Sequence, residues 1–190
     1  MKPISLVMVL ASAWLALPVL ATDEPWVGEA RAVAGAMPPK LLAVLTEAIA
    51  AGGPEGAMAV CRDKAPQMAQ AASEQTGWAI RRVSLRNRNP KAVPDTWETT
   101  VLADFDRRAA AGESPATLER AETVLSDGKP VQRYLRALPT QAMCTGCHGT
   151  PDKLTPAVTA KLRELYPEDR AVGYAPGQIR GAVALKRAMP

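Results

Sequence analysis

The run Cys144-Thr145-Gly146-Cys147-His148 constrains this chain more than any other feature. Two thiols three residues apart with an imidazole beside the second match the attachment site of a c-type haem, in which the sulfurs form thioethers with the porphyrin edge and the imidazole turns under the iron. With three cysteines and one histidine in 190 residues, chance would produce this pattern on the order of 10⁻⁴ times per chain. One covalent haem c, held by Cys144 and Cys147 with His148 as the proximal iron ligand, is therefore expected. The fold must then leave room for a flat macrocycle.

The N-terminus agrees with that chemistry, because bacterial haem attachment occurs outside the cytoplasmic membrane. Lys2 supplies a positive start, Ile4 to Leu17 runs without a charge, and Val19-Leu20-Ala21 ends in a small residue before the polar Thr22-Asp23-Glu24. This is the pattern of a signal peptide spanning residues 1–21, cleaved after Ala21. The run is short for a membrane span and ends at Pro18. No later segment is expected to cross a bilayer, so the mature protein is expected in the periplasm. Residues 22–190 make one domain. The net charge of +4 is too small to suggest a nucleic-acid partner.

Glu29 to Ala51 has a helical pattern interrupted by Pro38-Pro39 and stopped by Gly52-Gly53, giving two helices or one kinked helix. Pro54 then opens a helix to Gly77, with Ala57, Val60, Cys61, Ala65, Met68 and Ala72 on one apolar stripe. Trp78 to Leu85 reads as a strand, Arg86 to Pro94 as a loop, and Asp95 or Thr96 as the start of a helix ending at Gly112. Thr117 to Leu125 and Val131 to Ala137 flank a turn containing Asp127-Gly128 and read as a hairpin. A helix from Thr155 to Leu165 and a strand from Gln178 to Lys186 complete the pattern. Helices mixed with antiparallel strands place the chain in the α+β class.

Only one histidine is present and the motif claims it, so bis-histidine ligation within the chain is excluded. Cys61 is the odd thiol of an exported chain once Cys144 and Cys147 are thioethers. It reads either as the distal iron ligand or as a buried thiol acting as a small hydrophobe. Met58 and Met68, near the same helical face, are the alternative donors. A zinc site from Cys61, Cys144, Cys147 and His148 is conceivable on paper, but export and the contiguous Cys-His pair favour haem. Within the basic run Arg81, Arg82, Arg86, Arg88 and Lys91, Arg82 and Arg86 are the candidates for haem propionates, against a partner-binding patch or a solvated loop. Trp97 and Phe105 read as core residues, and Tyr134 and Tyr174 as candidates for lining the pocket. A histidine engaged as a ligand is no catalytic base, and no Gly-rich phosphate loop is present, so no enzyme activity is expected.

Four ordered motifs carry a more specific likeness: Ala59-Val60-Cys61-Arg62 with Ala65-Pro66, Arg82 to Pro90 with Pro94-Asp95-Thr96-Trp97-Glu98, the C-x-x-C-H-G run, and Tyr166-Pro167 with Gly173-Tyr174 and Gly177 to Ala182. In these the chain resembles the PAS-like mono-haem c family, the Tll-type haem domains of periplasmic proteins and histidine-kinase sensors. The resemblance implies a PAS-like antiparallel sheet flanked by N-terminal helices, and it places an unusual distal cysteine ligand on Cys61. Gln178 stands where an acidic residue is more typical.

Two functions follow as expectations. One is a redox or small-ligand sensor, responsive to a gas or sulfur species and acting through a separate periplasmic signalling or redox partner, since no transmitter segment follows the domain. The other is a simple periplasmic electron carrier. A five-coordinate class II cytochrome is a third reading, which the hairpin and the tail after His148 oppose.

Overall fold

Asp127 and Gly128 both take positive φ, 54° and 75°, the two-residue turn whose twist matches that of paired strands. They join β2 (Glu119–Ser126) to β3 (Lys129–Pro139) in register from Ser126 opposite Lys129 to Glu119 opposite Arg136. In the computed structural model, which describes residues 24–189, this hairpin extends into a four-stranded sheet of order β1-β4-β3-β2, with every pair antiparallel. β1 is Ala79–Val83 and β4 is Ile179–Ala188. The expected leader at residues 1–21 lies outside the described residues.

Alternation along the strands divides the core into two layers. Val83, Leu135, Ala137, Ala182 and Ala184 face Val101, Leu102 and Phe105 of α3 (Thr96–Ala110). The intervening residues Ile80, Tyr134, Val183 and Leu185 face Trp26, Val27, Ala30 and Ala34 of α1 (Pro25–Gly56). Ala69 and Ala72 of α2 (Ala65–Thr76) pack on the same side. The protein is thus α+β, with the N-terminal helices on one sheet face and α3 on the other. Phe105 is a core residue of the α3 layer, and the half-buried Trp97 packs against that layer.

α3 begins where expected because Asp95 accepts the Glu98 N–H at 3.0 Å while Glu98 accepts the Asp95 N–H at 2.9 Å. This reciprocal box satisfies two N–H groups of the first turn. Glu98 is only 3% exposed and also meets Arg81 and, at 3.2 Å, Arg133.

Pro38 and Pro39 do not break α1. Each removes one N–H but keeps φ helical, whereas Gly53 at φ 69° leaves helical geometry. The break therefore falls at Gly52-Gly53, and Pro54 follows it. Another expectation is corrected: α1 is long and apolar enough, by length and composition, to cross a membrane, with mean hydropathy 1.3. The cause is its alanine-rich, nearly uncharged second half, where Lys40 and Glu47 are the only charges between Val33 and Pro54.

The helix expected from Pro54 to Gly77 is also divided. Val60–Lys64 forms a π turn, closed by the Ala65 N–H on the Val60 carbonyl, before α2 begins. Pro66 explains the widening, because it has no N–H to offer the Arg62 carbonyl and the ordinary i to i+4 ladder fails there. Cys61 sits inside this turn.

Candidate functional site

Thr145–His148 forms a single helical turn, α4, preceded by a 3₁₀ turn at Ala142–Cys144. In this geometry Cys144 and Cys147 share one side three residues apart, with His148 one position further round. The turn is fixed by the Gly149 N–H on the Thr145 carbonyl at 2.8 Å. A Cβ on Gly149 would lie 2.5 Å from that carbonyl oxygen, so only glycine lets the chain leave so tightly. Beyond it, Gly173 and Tyr174 donate their N–H groups to the carbonyls of Gly149 and His148, at 2.7 and 2.8 Å. Two distant segments are thereby stapled together behind the motif. α5 (Pro156–Leu165), capped by Thr155 on the Val158 N–H at 3.2 Å, packs Val158 and Leu162 with Met58 and Cys147.

The orientation of His148 follows from its partners. Nδ1 lies 2.6 Å from the Ala171 carbonyl oxygen and 3.2 Å from Arg180 Nε. A carbonyl accepts only, so Nδ1 carries the proton and donates it to Ala171, and Arg180 contributes charge rather than a hydrogen bond there. The lone pair is left on Nε2. Burial first, then Arg180 and Arg88, pushes the imidazole pKa down to about 2. His148 is therefore neutral over the physiological range, as a metal ligand must be.

Cys61 lies within electrostatic reach of Cys144 and of Arg82, Arg88 and Arg180; burial pushes its thiol up, and the three guanidiniums oppose that. Burial likewise raises Cys147, whose Sγ approaches the Pro54 carbonyl at 3.8 Å. Cys61, Cys144 and Cys147 thus lie within electrostatic reach of one another, and His148 follows Cys147 directly in the chain. Among the described residues, no three His, Cys, Asp or Glu side chains converge as a cage for a bare metal ion.

Arg82 and Arg86 diverge. Arg82 reaches solvent although protein crowds it enough to pull its guanidinium below the ordinary arginine range, with Cys61 and Cys144 opposing that shift. It makes no hydrogen bond or ion pair among the described residues. Arg86 instead lies over the Tyr174 ring at 4.1 Å and donates to the Arg170 carbonyl at 3.4 Å. Tyr174 stands edge-on to His148, ring centres 6.4 Å apart. Tyr134, the other pocket candidate, is buried between the sheet and α1, its hydroxyl donating to Glu119 at 2.6 Å. Met58 is 3% exposed in the α5 cluster, and Met68 is half-buried on α2.

Two arginines matter more than their sequence context suggested. Arg180 is 6% exposed, donates to Ser84 Oγ at 3.1 Å and the Arg86 carbonyl at 3.2 Å, and pairs with no carboxylate among the described residues. Burial and then the charge of Arg82 depress its pKa. Arg88 pairs with Asp169 at 2.9 Å, each side chain 9% exposed, and donates to the Cys147 carbonyl at 2.6 Å. It clamps the attachment turn to the loop that orients His148. Both residues fall in the quoted motifs, yet residue type alone does not distinguish a clamp from a surface arginine. Arg88→Met is expected to destabilise the protein by about 3–5 kcal/mol, because it strands the buried Asp169 carboxylate. Urea denaturation of Arg88→Met and of Arg88→Met/Asp169→Asn checks this: the double variant should recover part of the loss, and equal stabilities would show that the pair carries no strain of charge.

Residues 16–187 match the Tll0287-like family along nearly the whole chain. The chain belongs to the Tll0287-like family. The expected membership in the Tll-type haem domains is borne out. The fold agrees: the crystal structure of the cyanobacterial haem protein Tll0287 superposes with a TM-score of 0.65 at 23% sequence identity, covering 89% of this chain and 97% of that one. No curated protein matches. The site chemistry is argued from the residues above.

Proposed function

We propose that this Tll0287-like chain is an exported mono-haem c protein with His148 and Cys61 as axial ligands, a redox or small-ligand sensor that acts through a partner protein in the periplasm and catalyses no reaction itself. The observation that carries this reading is the Nδ1 proton of His148, held by Ala171 at 2.6 Å, which leaves Nε2 with its lone pair for ligation. When bound, haem supplies a one-electron couple and an iron with two axial positions. Cys144 and Cys147 present their sulfurs from one helical turn, as two thioethers on one porphyrin edge require. Arg82, within electrostatic reach of Cys61 and Cys144 and without a hydrogen bond or ion pair among the described residues, offers a guanidinium fork to a propionate. The sheet between helices is read as PAS-like, which suits a sensor scaffold.

The π turn gives Cys61 its role. A widened turn displaces one residue from the helical ladder and is a frequent local device at functional sites. Arg82, Arg88 and Arg180 supply the positive surroundings that a ligating sulfur needs. With haem bound, the anionic sulfur of Cys61 would favour the oxidised metal, and reduction would weaken the hold of Cys61 and leave room for an incoming molecule.

Protein matured with haem is expected to keep its colour in the protein phase after acid–acetone extraction, and its dithionite-reduced form is expected to bind carbon monoxide. Haem lost to the organic phase would defeat the covalent reading. A reduced protein that refuses carbon monoxide would defeat the sensor reading and leave an electron carrier.

A further inference from the structure

On the α3 side of the sheet, α3 and the segment from Tyr174 to Gly181 flank a pocket of about 520 Å³ that is open to solvent on one side, within the size range of small-molecule sites. Leu85, Leu102, Ala109 and Ile179 give it apolar walls. Arg82, Arg88 and Arg180, the guanidiniums that act on Cys61, do not line it; the charged residues that do are Arg86 and Asp106.

These two charges have opposite sign and influence one another, yet they form no ion pair among the described residues. Burial holds the Asp106 carboxyl above its ordinary range, opposed only by Arg86. Apart from one long hydrogen bond to the Arg170 carbonyl and its stacking on Tyr174, the Arg86 guanidinium has no partner among the described residues. A simple carboxylate bound to Arg86 would face Asp106 as a like charge, and a simple amine bound to Asp106 would face Arg86. A ligand that satisfies both must carry both charges, with an apolar remainder for the walls.

We propose that this pocket binds a free α-amino acid with an aliphatic side chain, its carboxylate on Arg86 and its ammonium on Asp106. Binding there is independent of the haem reading. A relay to His148 through Tyr174, which contacts Arg86 on one side and stands edge-on to the imidazole, rests on that reading.

Calorimetric titration of the haem-loaded protein with L-leucine, isocaproate and isoamylamine separates the contributions of the two charges. Saturable binding of L-leucine is expected, with each single-charge analogue at least about tenfold weaker because one site charge is left unpaired. Arg86→Gln and Asp106→Asn should each weaken L-leucine by a similar factor. No binding of L-leucine, isocaproate binding as tightly as L-leucine, or an unaffected Asp106→Asn variant would overturn the site. Saturation with L-leucine should also alter the electron paramagnetic resonance signal of the oxidised protein. Binding with an unchanged signal would overturn the relay while sustaining the site.

Discussion

Cys61→Ala is expected to convert a low-spin oxidised spectrum into a high-spin or exogenously ligated one, the largest spectroscopic change any single substitution in this chain should produce. The reason is scarcity of donors. His148 is the only histidine, and its Nδ1 is already engaged by Ala171 at 2.6 Å. Met58 is enclosed by Val158, Leu162 and Tyr166, and to reach the metal it would have to leave that cluster. Removing a buried methionine from such packing costs about 2–5 kcal/mol, which opposes any rescue. Electron paramagnetic resonance of the oxidised variant decides the matter. A signal identical to that of the wild type would reduce Cys61 to a packing residue and turn attention to Met58 and Met68. Cys61→Met, which keeps a sulfur but removes its charge, should raise the reduction potential.

Gly181→Ala is expected to be the most damaging substitution for the fold. Gly181 has φ 147°, and a Cβ there would sit 2.3 Å from the Val83 carbonyl oxygen and 3.1 Å from Ser84 Cβ. Neither neighbour can withdraw, since Val83 pairs with Ala182 across β1 and β4 and Ser84 Oγ is held by the Arg180 and Arg86 carbonyls. Backbone strain together with a forced break in pairing amounts to about 3–5 kcal/mol. The consequence reaches the site, because Arg180 precedes Gly181 and lies against His148. Thermal or urea unfolding checks the stability, and a loss under about 1 kcal/mol would mean that β1 and β4 have room to part. Gly177→Ala is a useful comparison: its φ is also positive, at 87°, but nothing lies within 4 Å of a Cβ, so it should suffer only the conformational penalty.

Much of this molecule is local in origin, and those parts were legible residue by residue. Asp127-Gly128 announces its turn because few residues tolerate two successive positive φ angles. Asp95 and Glu98 announce the start of α3 because the cap is made within four residues. The C-x-x-C-H run carries its own geometry, since one helical turn is enough to set two sulfurs and an imidazole side by side. Pro38 and Pro39 misled only in suggesting an interruption, because proline disfavours a helix without forbidding it. The π turn at Cys61 had a faint signal in Pro66, whose missing N–H permits the widening without requiring it.

By itself the sequence determined the class of fold, the attachment turn and the chemical identity of every candidate ligand, because those depend on neighbours a few positions away. Only the tertiary structure decided which arginine stands where. Arg82, Arg86, Arg88 and Arg180 are chemically equal in the sequence. Yet one lies within reach of Cys61 and Cys144, one stacks on Tyr174, one clamps Asp169 to Cys147, and one lies against the imidazole. A guanidinium on a flexible stem takes its role from whatever the sheet and loops bring within reach, and those partners lie up to 96 residues away along the chain.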